Sequence, residues 1–551
     1  MDKDMKIRYG KVTLVGAGCG HGLITTAGVR ALKNAGTLVF DDLIDKELLN
    51  IPGEGCRKIY AGKRSGKHSM SQNEINEILI REAMEGRNVV RLKGGDSFVF
   101  GRGGEEIEAL KAHGINFSVI PGISSAIAVP ENAGIPVTHR GMAGAFTVVT
   151  GNTADGKAPD LKYLADFDGT IVFLMGIKNI GKIAEGLIKA GKSPDTPSAV
   201  ISRGFTPYEK RIDGKLSEIA ALSENAATPG VFVVGETAGL NFKDGLRLPL
   251  SGVRAVITGT ESFVERLSEG LAEYGAECIR SVSMRIRPMY ENIPESFELY
   301  GWAVFTSANG VRVFFEGLRK NRTDIRAVFG LKFACIGRAT AEELLKHGIY
   351  ADLIPERYTA GDLGRELAER LAAGKKGKAD KEGCAVTDNK VLILRAEGGS
   401  TELLKELEAC GTTYKDVHIY RTETEYAKGA LISPDTCTGP EDLLMQGYCV
   451  NSYDNAHAEG PDYIVFGSAG GVRAWKDQII FMKEKGIAPL PVKKAVCIGK
   501  YTADALNMLM DEAENDGIKE YFPEKSVTAE TFSAEGIIKA MIRDRQREDL
   551  K

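Results

Sequence analysis

The stretch VVRLKGGDSFVFGRGGEE, residues 89–106, decides the fold of the N-terminal half of this chain. An apolar run that contains Arg91 leads into a Gly-Gly-Asp turn, and a second glycine-rich turn follows, flanked by Arg102 and Glu105. Glycine accepts backbone conformations that other residues adopt only at a cost, so two glycine turns this close together indicate that the backbone approaches something closely. Asp96 follows the predicted strand directly, where a carboxylate could meet a ribose hydroxyl or a proton in transfer.

Short apolar runs alternate with helical patterns on both sides of this stretch. The runs VTLVGAG, TIVFLM and VFVVG predict strands, and EINEILIREAMEG and IEALKAHG predict helices. This alternation is typical of α/β proteins with largely parallel strands. The pattern stops after Leu240 at a polar segment with proline and glycine, which predicts a linker over residues 242–252, and a new strand begins at Val253.

The composition limits the class of protein. A chain of 551 residues with 43% hydrophobic content can form several domains. Its net charge of −4 does not suit a general nucleic-acid binder. Apolar runs are too short for a membrane span and the charged start is not followed by a secretory signal, which favours a cytoplasmic protein. The nine cysteines contain no C-x-x-C pair, so neither a disulfide framework nor a metal site is predicted.

The C-terminal half contains an internal repeat. Three segments recur in the same order: VFTSANGVR as VFGSAGGVR, ACIGRATAEEL as VCIGKYTADAL, and PERYTAGDL as PEKSVTAETF. Two copies of one strand-turn-helix series predict two similar α/β lobes, with equivalent turns facing each other across a cleft.

The glycine-rich segment GAGCGHG, residues 16–22, has two interpretations. A dinucleotide-binding fingerprint would need a third glycine where His21 stands, and no convincing ribose-binding acid follows at the usual distance. A nicotinamide site therefore stays as an alternative to the binding of another nucleotide-like cofactor.

Over residues 10–241 the chain resembles the uroporphyrinogen-III C-methyltransferases of the tetrapyrrole methylase family. The resemblance rests on the opening stretch together with KVTLVGAGCGHGLITTAGVRAL, TLVFDDLI, YAGKRSGKHSMSQNEIN, PGISSAIAVPENAGIPVTHRG and TIVFLMG. It implies a two-lobed tetrapyrrole methylase fold and S-adenosyl-L-methionine as the cofactor. By motif position, the residues implied to bind that cofactor are Cys19, Gly94, Gly95, Asp96, Val99, Ser124, Ser125, Met175 and Gly204. For Met175 and Val99, packing in the core is the alternative role.

The same resemblance implies catalytic and substrate-binding residues. Asp41 matches the base that removes a proton after methyl transfer, and Lys63 matches a proton donor. Asp42 is the neighbouring carboxylate that could be confused with Asp41, and either could instead start a helix.

The substrate that the resemblance implies, uroporphyrinogen III, is a polyanion. Cations, which suit the binding of carboxylates, cluster on the motif loops. The clusters are Lys63, Arg64, Lys67 and His68, then Arg91, Lys93 and Arg102, then His139 and Arg140. We expect Arg64, Arg102, His139 and Arg140 to bind substrate, although a solvated surface role is the alternative for any single cation. The chain departs from the family pattern at Cys19 and Ser97, where proline is usual, and at His21, where aspartate is usual.

Residues 253–545 resemble uroporphyrinogen-III synthase. The resemblance implies a bilobed α/β fold with lobe A at 253–285 and 423–545 and lobe B at 288–420. Tyr420 matches the residue that aids the leaving hydroxyl, with a packed strand residue as the alternative. The hydroxyls implied to bind substrate are those of Ser307, Thr340, Ser468 and Thr502, and helix capping is the alternative role for the two threonines.

Together the resemblances imply a bifunctional enzyme. Its C-terminal half would convert hydroxymethylbilane to uroporphyrinogen III, and its N-terminal half would methylate that product twice to precorrin-2, for sirohaem or cobalamin. The N-terminal half could instead act on a cobalt-corrin intermediate or on RNA, and the C-terminal half could be a non-catalytic ligand-binding or regulatory module. Tetrapyrroles are the expected ligands, with no nucleic-acid or membrane partner, and a homodimer through the N-terminal domain is implied.

Overall fold

The structure is a computed structural model. It describes residues 9–53, 55–62, 70–152, 161–206, 208–243, 248–376, 390–428, 431–432, 449–450, 460–484 and 491–549. The chain forms two compact units. The first contains Met1–Thr258, Val264–Ser281 and Ala427–Lys551, and the second contains Gly259–Phe263 and Val282–Tyr426.

A parallel five-stranded sheet forms the first lobe of the N-terminal half. Its strands are Val12–Gly16 (β1), Thr37–Phe40 (β2), Arg57–Tyr60 (β3), Val89–Lys93 (β4) and Phe117–Ile120 (β5), in the order β3-β2-β4-β1-β5. Its helices are Thr26–Lys33 (α1), Gln72–Met84 (α2), Gly103–Ala112 (α3) and Ser125–Asn132 (α4), with a 3₁₀ turn at Lys46–Asn50. Strand β4 is buried along its whole length, as a central parallel strand requires.

A mixed five-stranded sheet forms the second lobe. Its strands are Phe146–Thr150 (β6), Thr170–Leu174 (β7), Pro197–Ser202 (β8), Lys210–Lys215 (β9) and Gly230–Val234 (β10), in the order β6-β7-β10-β8-β9. Its helices are Lys162–Ala165 (α5), Ile180–Lys189 (α6) and Ile219–Leu222 (α7), and 3₁₀ turns lie at Ile177–Asn179 and Glu236–Gly239. Phe173 and Phe232 stack with ring centroids 5.6 Å apart and fill the core on one face of this sheet.

Strands and helices alternate through the C-terminal half. The strands are Arg254–Thr260 (β11), Glu277–Pro288 (β12), Tyr300–Phe305 (β13), Lys332–Cys335 (β14), Lys390–Ala396 (β15), Tyr414–Lys428 (β16), Leu431–Ile432 (β17), Cys449–Val450 (β18), Tyr463–Phe466 (β19), Lys494–Cys497 (β20) and Lys525–Thr528 (β21). The helices are Glu261–Glu273 (α8), Ala308–Lys320 (α9), Arg338–Leu345 (α10), Ala360–Lys376 (α11), Glu402–Ala409 (α12), Ala469–Glu484 (α13), Lys500–Asn515 (α14) and Ala534–Asp549 (α15). Further 3₁₀ turns are Tyr290–Asn292, Ile325–Val328 and Lys519–Tyr521.

Each unit contains its own run of parallel strands from this half. The second unit has the order β14-β13-β15-β16, and the first has β11-β19-β20-β21. The repeated segments form the same local structure in both. Ser307 and Ser468 each follow a buried strand and accept a backbone hydrogen bond at the start of a helix, from Gly310 at 3.0 Å and Gly471 at 3.1 Å. The predicted α/β class and the bilobed repeat are therefore confirmed.

No helix in the described part of the chain combines the length and the apolar character needed to cross a membrane.

Candidate active site

The carboxyl ends of the first-lobe strands bring the sequence motifs to one edge of the sheet. Strand β1 leads into residues 16–22, β2 into Asp41, β4 into residues 94–96 and β5 into residues 121–125. In open parallel sheets, ligands bind at this edge, beside strands whose connections diverge. The topology therefore gathers most of the predicted cofactor residues from three separate stretches of sequence and places Asp41 at the same edge.

Three of these loops meet backbone to backbone. A Cβ on Gly122 would lie 2.1 Å from the Gly95 carbonyl oxygen, and a Cβ on Gly16 would lie 2.5 Å from the Gly122 Cα. Gly18 and Gly95 exchange backbone hydrogen bonds of 2.8 and 3.2 Å. No side chain has room at these contacts, so the loops can offer peptide groups closely to a ligand. An extended nucleoside cofactor fits a surface of this kind.

Asp96 fastens two of these loops together. One carboxylate oxygen accepts a hydrogen bond from the Gly122 amide at 2.9 Å, and the other accepts one from the Phe98 amide at 2.8 Å. Because each carboxylate oxygen can accept more than one hydrogen bond, Asp96 keeps capacity for a ligand hydroxyl. Its predicted contact with the cofactor stays a prediction.

The predicted apolar wall contains both exposed and packed side chains. Met175 is exposed and has a left-handed backbone, with φ of 57°. Cys19 and Val99 pack on the core cluster that contains Val129, and a Cβ on Gly204 would lie 2.7 Å from that valine. Burial raises the pKa of the Cys19 thiol to about 11, so the thiol is protonated at neutral pH and packs as a small apolar group.

The two neighbouring serines open helix α4. The Ser124 hydroxyl caps the helix by accepting a hydrogen bond from the Ala126 amide at 3.3 Å, and Ser125 is its first residue. The free N–H groups of a helix start are suited to an anionic group such as a carboxylate.

The structure distinguishes Asp41 from Asp42. Asp42 accepts a hydrogen bond from the Tyr60 hydroxyl at 2.5 Å. Asp41 lies 3.6 Å from the Arg91 guanidinium, and its Oδ1 atom is buried with no hydrogen-bond partner among the described residues. Of the two carboxylates, Asp41 therefore has an oxygen available to take up a proton.

Arg91 and Lys93 do not form part of a cationic rim, so the interpretation of these two members of their cluster as substrate-facing cations is wrong. They are 3% and 5% exposed, and both bind Glu106, which is fully buried. The distances to Glu106 are 3.2 Å from Arg91 Nε and 2.7 Å from Lys93 Nζ. Burial, and then the neighbouring Arg91 charge, lower the pKa of Lys93.

Sequence reasoning missed Glu106, although two signals were present. Arg91 and Lys93 alternate along β4 and so share one face of the sheet. A pair of glutamates, Glu105 and Glu106, follows in the first turn of α3, where one of them turns inward. A buried strand with two cations on one face requires a buried anion nearby.

Of the other predicted substrate-binding cations, Arg102 is exposed and His139 is half-buried. Arg102 holds Glu105 with two hydrogen bonds of 2.8 and 2.6 Å, and this pairing lowers the pKa of the glutamate. His139 donates from Nδ1 to the Arg140 carbonyl oxygen at 3.0 Å, and its ring lies against Phe242. Both remain candidates for contact with substrate carboxylates. Lys63, Arg64, Lys67 and His68 lie outside the described residues.

The positions that depart from the family pattern differ in their surroundings. His21 Nδ1 lies 2.9 Å from Asp45 and 3.7 Å from Glu47. Ser97 is fully buried, and its hydroxyl lacks a hydrogen-bond partner within the described parts of the chain.

In the C-terminal half, Tyr420 and Ser307 form a hydroxyl pair. Their oxygen atoms are 2.8 Å apart, and Ser307 also accepts the Gly310 amide as the cap of α9. Tyr420 is buried, and burial raises the pKa of its phenol, so it is present as a neutral proton donor. The two residues come from different strands and their contact was not predicted.

The other predicted hydroxyls of this half differ in access. Thr340 and Thr502 are buried within the first turns of α10 and α14, which begin after Gly337 and Gly499. The threonines therefore pack inside these turns, and the N-cap positions are held by the glycines. Ser468 caps α13 in the manner of Ser307.

Comparison with known proteins divides the chain in the same way. Residues 11–220 match the tetrapyrrole (corrin/porphyrin) methylases, and residues 265–514 match uroporphyrinogen-III synthase HemD. A porphyrin biosynthesis protein HemD of Ruminiclostridium josui is 32% identical over 511 residues, covering 91% of this chain and 94% of that relative.

Two relatives match the N-terminal half alone. The uroporphyrinogen-III C-methyltransferase of Methanocaldococcus jannaschii is 55% identical over 232 residues, 41% of this chain and 96% of that protein. An S-adenosyl-L-methionine-dependent uroporphyrinogen III methyltransferase of Methanosarcina barkeri is 48% identical over 243 residues, 43% of this chain and 95% of that protein. The resemblance seen in the motifs is confirmed, and the chain belongs to the family in which an S-adenosylmethionine-dependent uroporphyrinogen-III C-methyltransferase is fused to a uroporphyrinogen-III synthase.

Proposed function

We propose that this protein carries out two consecutive steps of tetrapyrrole synthesis, beginning with its C-terminal half. That half closes hydroxymethylbilane to uroporphyrinogen III, which the N-terminal half methylates twice to give precorrin-2. The observation that carries the proposal is the match between the halves, because the product of one family is the substrate of the other.

In the methyltransferase half, Asp41 acts as the base. S-adenosylmethionine supplies an electrophilic methyl group, and attack by a pyrrole carbon leaves a cationic ring that must lose a proton. The support for this role is Asp41 Oδ1, which is buried and has no hydrogen-bond partner among the described residues. The backbone loops around Gly16, Gly95 and Gly122 would hold the cofactor, and its alignment with the acceptor would supply much of the acceleration. Met175, Val99 and Gly204 form the apolar side of that cradle.

In the synthase half, Tyr420 assists the departure of the substrate hydroxyl. Its neutral phenol donates a proton so that the hydroxyl leaves as water, and Ser307 holds the phenol in place at 2.8 Å. The resulting cation closes at the substituted carbon of the last pyrrole and rearranges so that this ring is inverted, and the proton released on closure restores the phenol. Few strong acids or bases are needed because the intermediate is reactive, and hydroxyl and amide groups suffice to bind carboxylates.

The fusion raises the local concentration of uroporphyrinogen III at the methyltransferase site. We assign the methyltransferase domain to residues 10–241 and the synthase domain to 253–545, with a linker between them. A homodimer through the N-terminal domain is part of the proposal. Exposed apolar side chains of that domain, such as Ile123, Ile127 and Met142, support it. A mass measurement by light scattering tests it.

Product analysis of the purified chain supplied with hydroxymethylbilane tests the two activities. Uroporphyrinogen III without S-adenosylmethionine and a doubly methylated product with it are the expected results. If only the symmetric type-I ring forms, the C-terminal half is not a working synthase. If supplied uroporphyrinogen III is not methylated either, the proposal fails as a whole.

A further inference from the structure

A set of buried charges lies directly beneath the proposed base. Arg91 and Lys93 of β4 and Glu106 of α3 are each at least 95% buried, and Asp41 at the end of β2 is the one member of the set whose carboxylate is partly exposed. Two positive and two negative groups balance in charge. Burying an ion is costly unless it is paired and hydrogen-bonded, so such a set in a sheet core needs a reason beyond stability.

The Arg91 guanidinium is fixed on three sides. Its Nε donates to Glu106 Oε1 at 3.2 Å, and its Nη1 lies 3.1 Å from the Leu92 carbonyl oxygen. The remaining nitrogen, Nη2, faces Asp41 Oδ2 at 3.6 Å. The planar guanidinium cannot rotate without losing the bond to Glu106, so Glu106 determines which nitrogen is presented to Asp41.

Few other charges reach Asp41 from the elements packed around it. Lys93 lies on the same strand as Arg91 but is bound to Glu106 at 2.7 Å. Tyr60 of β3 is engaged with Asp42. Lys93 also interacts electrostatically with Asp41, and Asp42 is the adjacent carboxylate, so both cations that act on Asp41 here are held by Glu106.

We propose that Glu106 is a positioning residue for methyl transfer, which acts on Asp41 through Arg91. Glu106 orients the guanidinium and offsets part of its charge, and so determines how Arg91 faces the Asp41 carboxylate. This inference rests on the proposed function, in which Asp41 is the base.

Substitutions at Arg91 and Glu106 have opposite effects on the pH profile of kcat for methylation. Arg91→Gln removes the cation, so Asp41 takes up a proton more easily and the acid limb moves to higher pH by roughly one unit. Glu106→Gln removes the anion that offsets Arg91, so the acid limb moves to lower pH. Both variants lower the maximal kcat several-fold, because the carboxylate is misoriented or its basicity is wrong.

Glu82 provides a matched control. It is also fully buried and also pairs with arginines, which are Arg57 at 3.0 Å, Arg81 at 3.7 Å and Arg87. It belongs to α2, however, and accepts a hydrogen bond from Thr37 at the start of β2, the opposite end of that strand from Asp41. Glu82→Gln should lower the melting temperature without moving the acid limb.

Arg91→Lys keeps the positive charge but loses the planar guanidinium with its several donor nitrogens. Its kcat should therefore fall, while the acid limb of its pH profile should stay closer to that of the wild type than the acid limb of Arg91→Gln does.

The experiment measures kcat of the full chain against pH with saturating uroporphyrinogen III and S-adenosylmethionine, beside cofactor affinity and melting temperature. Shifts of opposite sign in Arg91→Gln and Glu106→Gln, with none in Glu82→Gln, support the inference. Shifts of the same sign, or none in either variant, overturn it. Should Glu106→Gln fail to fold, Glu106→Asp, which keeps the charge, takes its place and must retain the wild-type acid limb with a lower kcat.

A separate variant keeps the two failures apart. If Asp41→Asn methylates at the wild-type rate, Asp41 is not the base, and Glu106 cannot act on methyl transfer through it. If Asp41→Asn is inactive while the Arg91 and Glu106 variants show no opposing shifts, the role of Asp41 stands and only the positioning role of Glu106 is lost.

Discussion

The methyltransferase half concentrates charge and close backbone contact at one sheet edge, whereas the synthase half offers neutral hydroxyl groups at the starts of helices. The buried charges of Arg91, Lys93 and Glu106 lie near Asp41, and the neighbouring glycine loops contact one another through their backbones. Near Tyr420 the polar partner is Ser307, a helix cap. The difference follows from the chemistry, because methyl transfer needs alignment and a base, while the bilane is reactive once its hydroxyl has left. Single substitutions should therefore cost more in the N-terminal half.

The largest expected effect is that of Asp41→Asn. We expect methylation to fall by at least about a hundredfold, since an amide cannot take up the proton, and we expect uroporphyrinogen III formation to be unchanged. Transfer of a labelled methyl group and formation of the type-III ring, measured on the same preparation, give both rates. Asp42→Asn is the matched control and should keep most of the activity, because Asp42 is engaged with Tyr60. The reverse order of the two variants would assign the base to Asp42.

Gly122→Ala should come next. Its new Cβ would lie 2.1 Å from the Gly95 carbonyl oxygen, so the cradle must open, and we expect affinity for S-adenosylmethionine to fall at least about tenfold. Calorimetric titration measures this. In the control Gly104→Ala, the new methyl group meets nothing within 4 Å and lies in α3, so affinity should be unchanged and stability slightly higher. Equal loss in both variants would show that the contact between the loops is irrelevant to the cofactor.

Strand periodicity and turn glycines were sufficient to predict the fold and the edge of the sheet at which the motifs meet. The pairings of buried polar side chains were not predictable in this way. Arg91 looked like a surface cation in a list of motif residues, yet its position on a central strand forces it inward to Glu106. The Tyr420–Ser307 contact joins residues 113 positions apart in the sequence, a separation over which spacing carries no information.

The synthase half should show smaller effects. We expect Tyr420→Phe to slow ring closure by about tenfold, since the substrate hydroxyl would leave without a proton donor, and to leave methylation unchanged. Ser307→Ala removes both the partner of Tyr420 and a helix cap worth about 1 kcal/mol. Ser468→Ala removes the corresponding cap of α13, so it separates the two losses. Because Ser468 is itself a predicted substrate-binding residue, melting temperatures measure the two cap losses, and a Ser307→Ala synthase rate equal to that of the wild type would leave Ser307 as a cap alone.

The smallest expected effect concerns His21 and its dependence on pH. The hydrogen bond to Asp45 raises the pKa of His21, opposed by partial burial and supported by the charges of Asp45 and Glu47. The protonated form is therefore favoured by folding. Its stabilising contribution is fully present below the ordinary value of about 6.5 and is lost as pH rises through the higher folded value. Because the side chain is 51% exposed, we expect less than about 1 kcal/mol.

Melting temperatures of the wild type and of His21→Gln, compared between pH 5.5 and 9, test this expectation. The wild type should be the more stable protein at the acidic end, and the difference should vanish at the alkaline end. The usual aspartate of the family at position 21 would place a third carboxylate beside Asp45 and Glu47. His21→Asp should therefore be less stable than His21→Gln above pH 6. If His21→Asp is the more stable variant, repulsion by Asp45 and Glu47 does not explain why this chain has histidine at position 21.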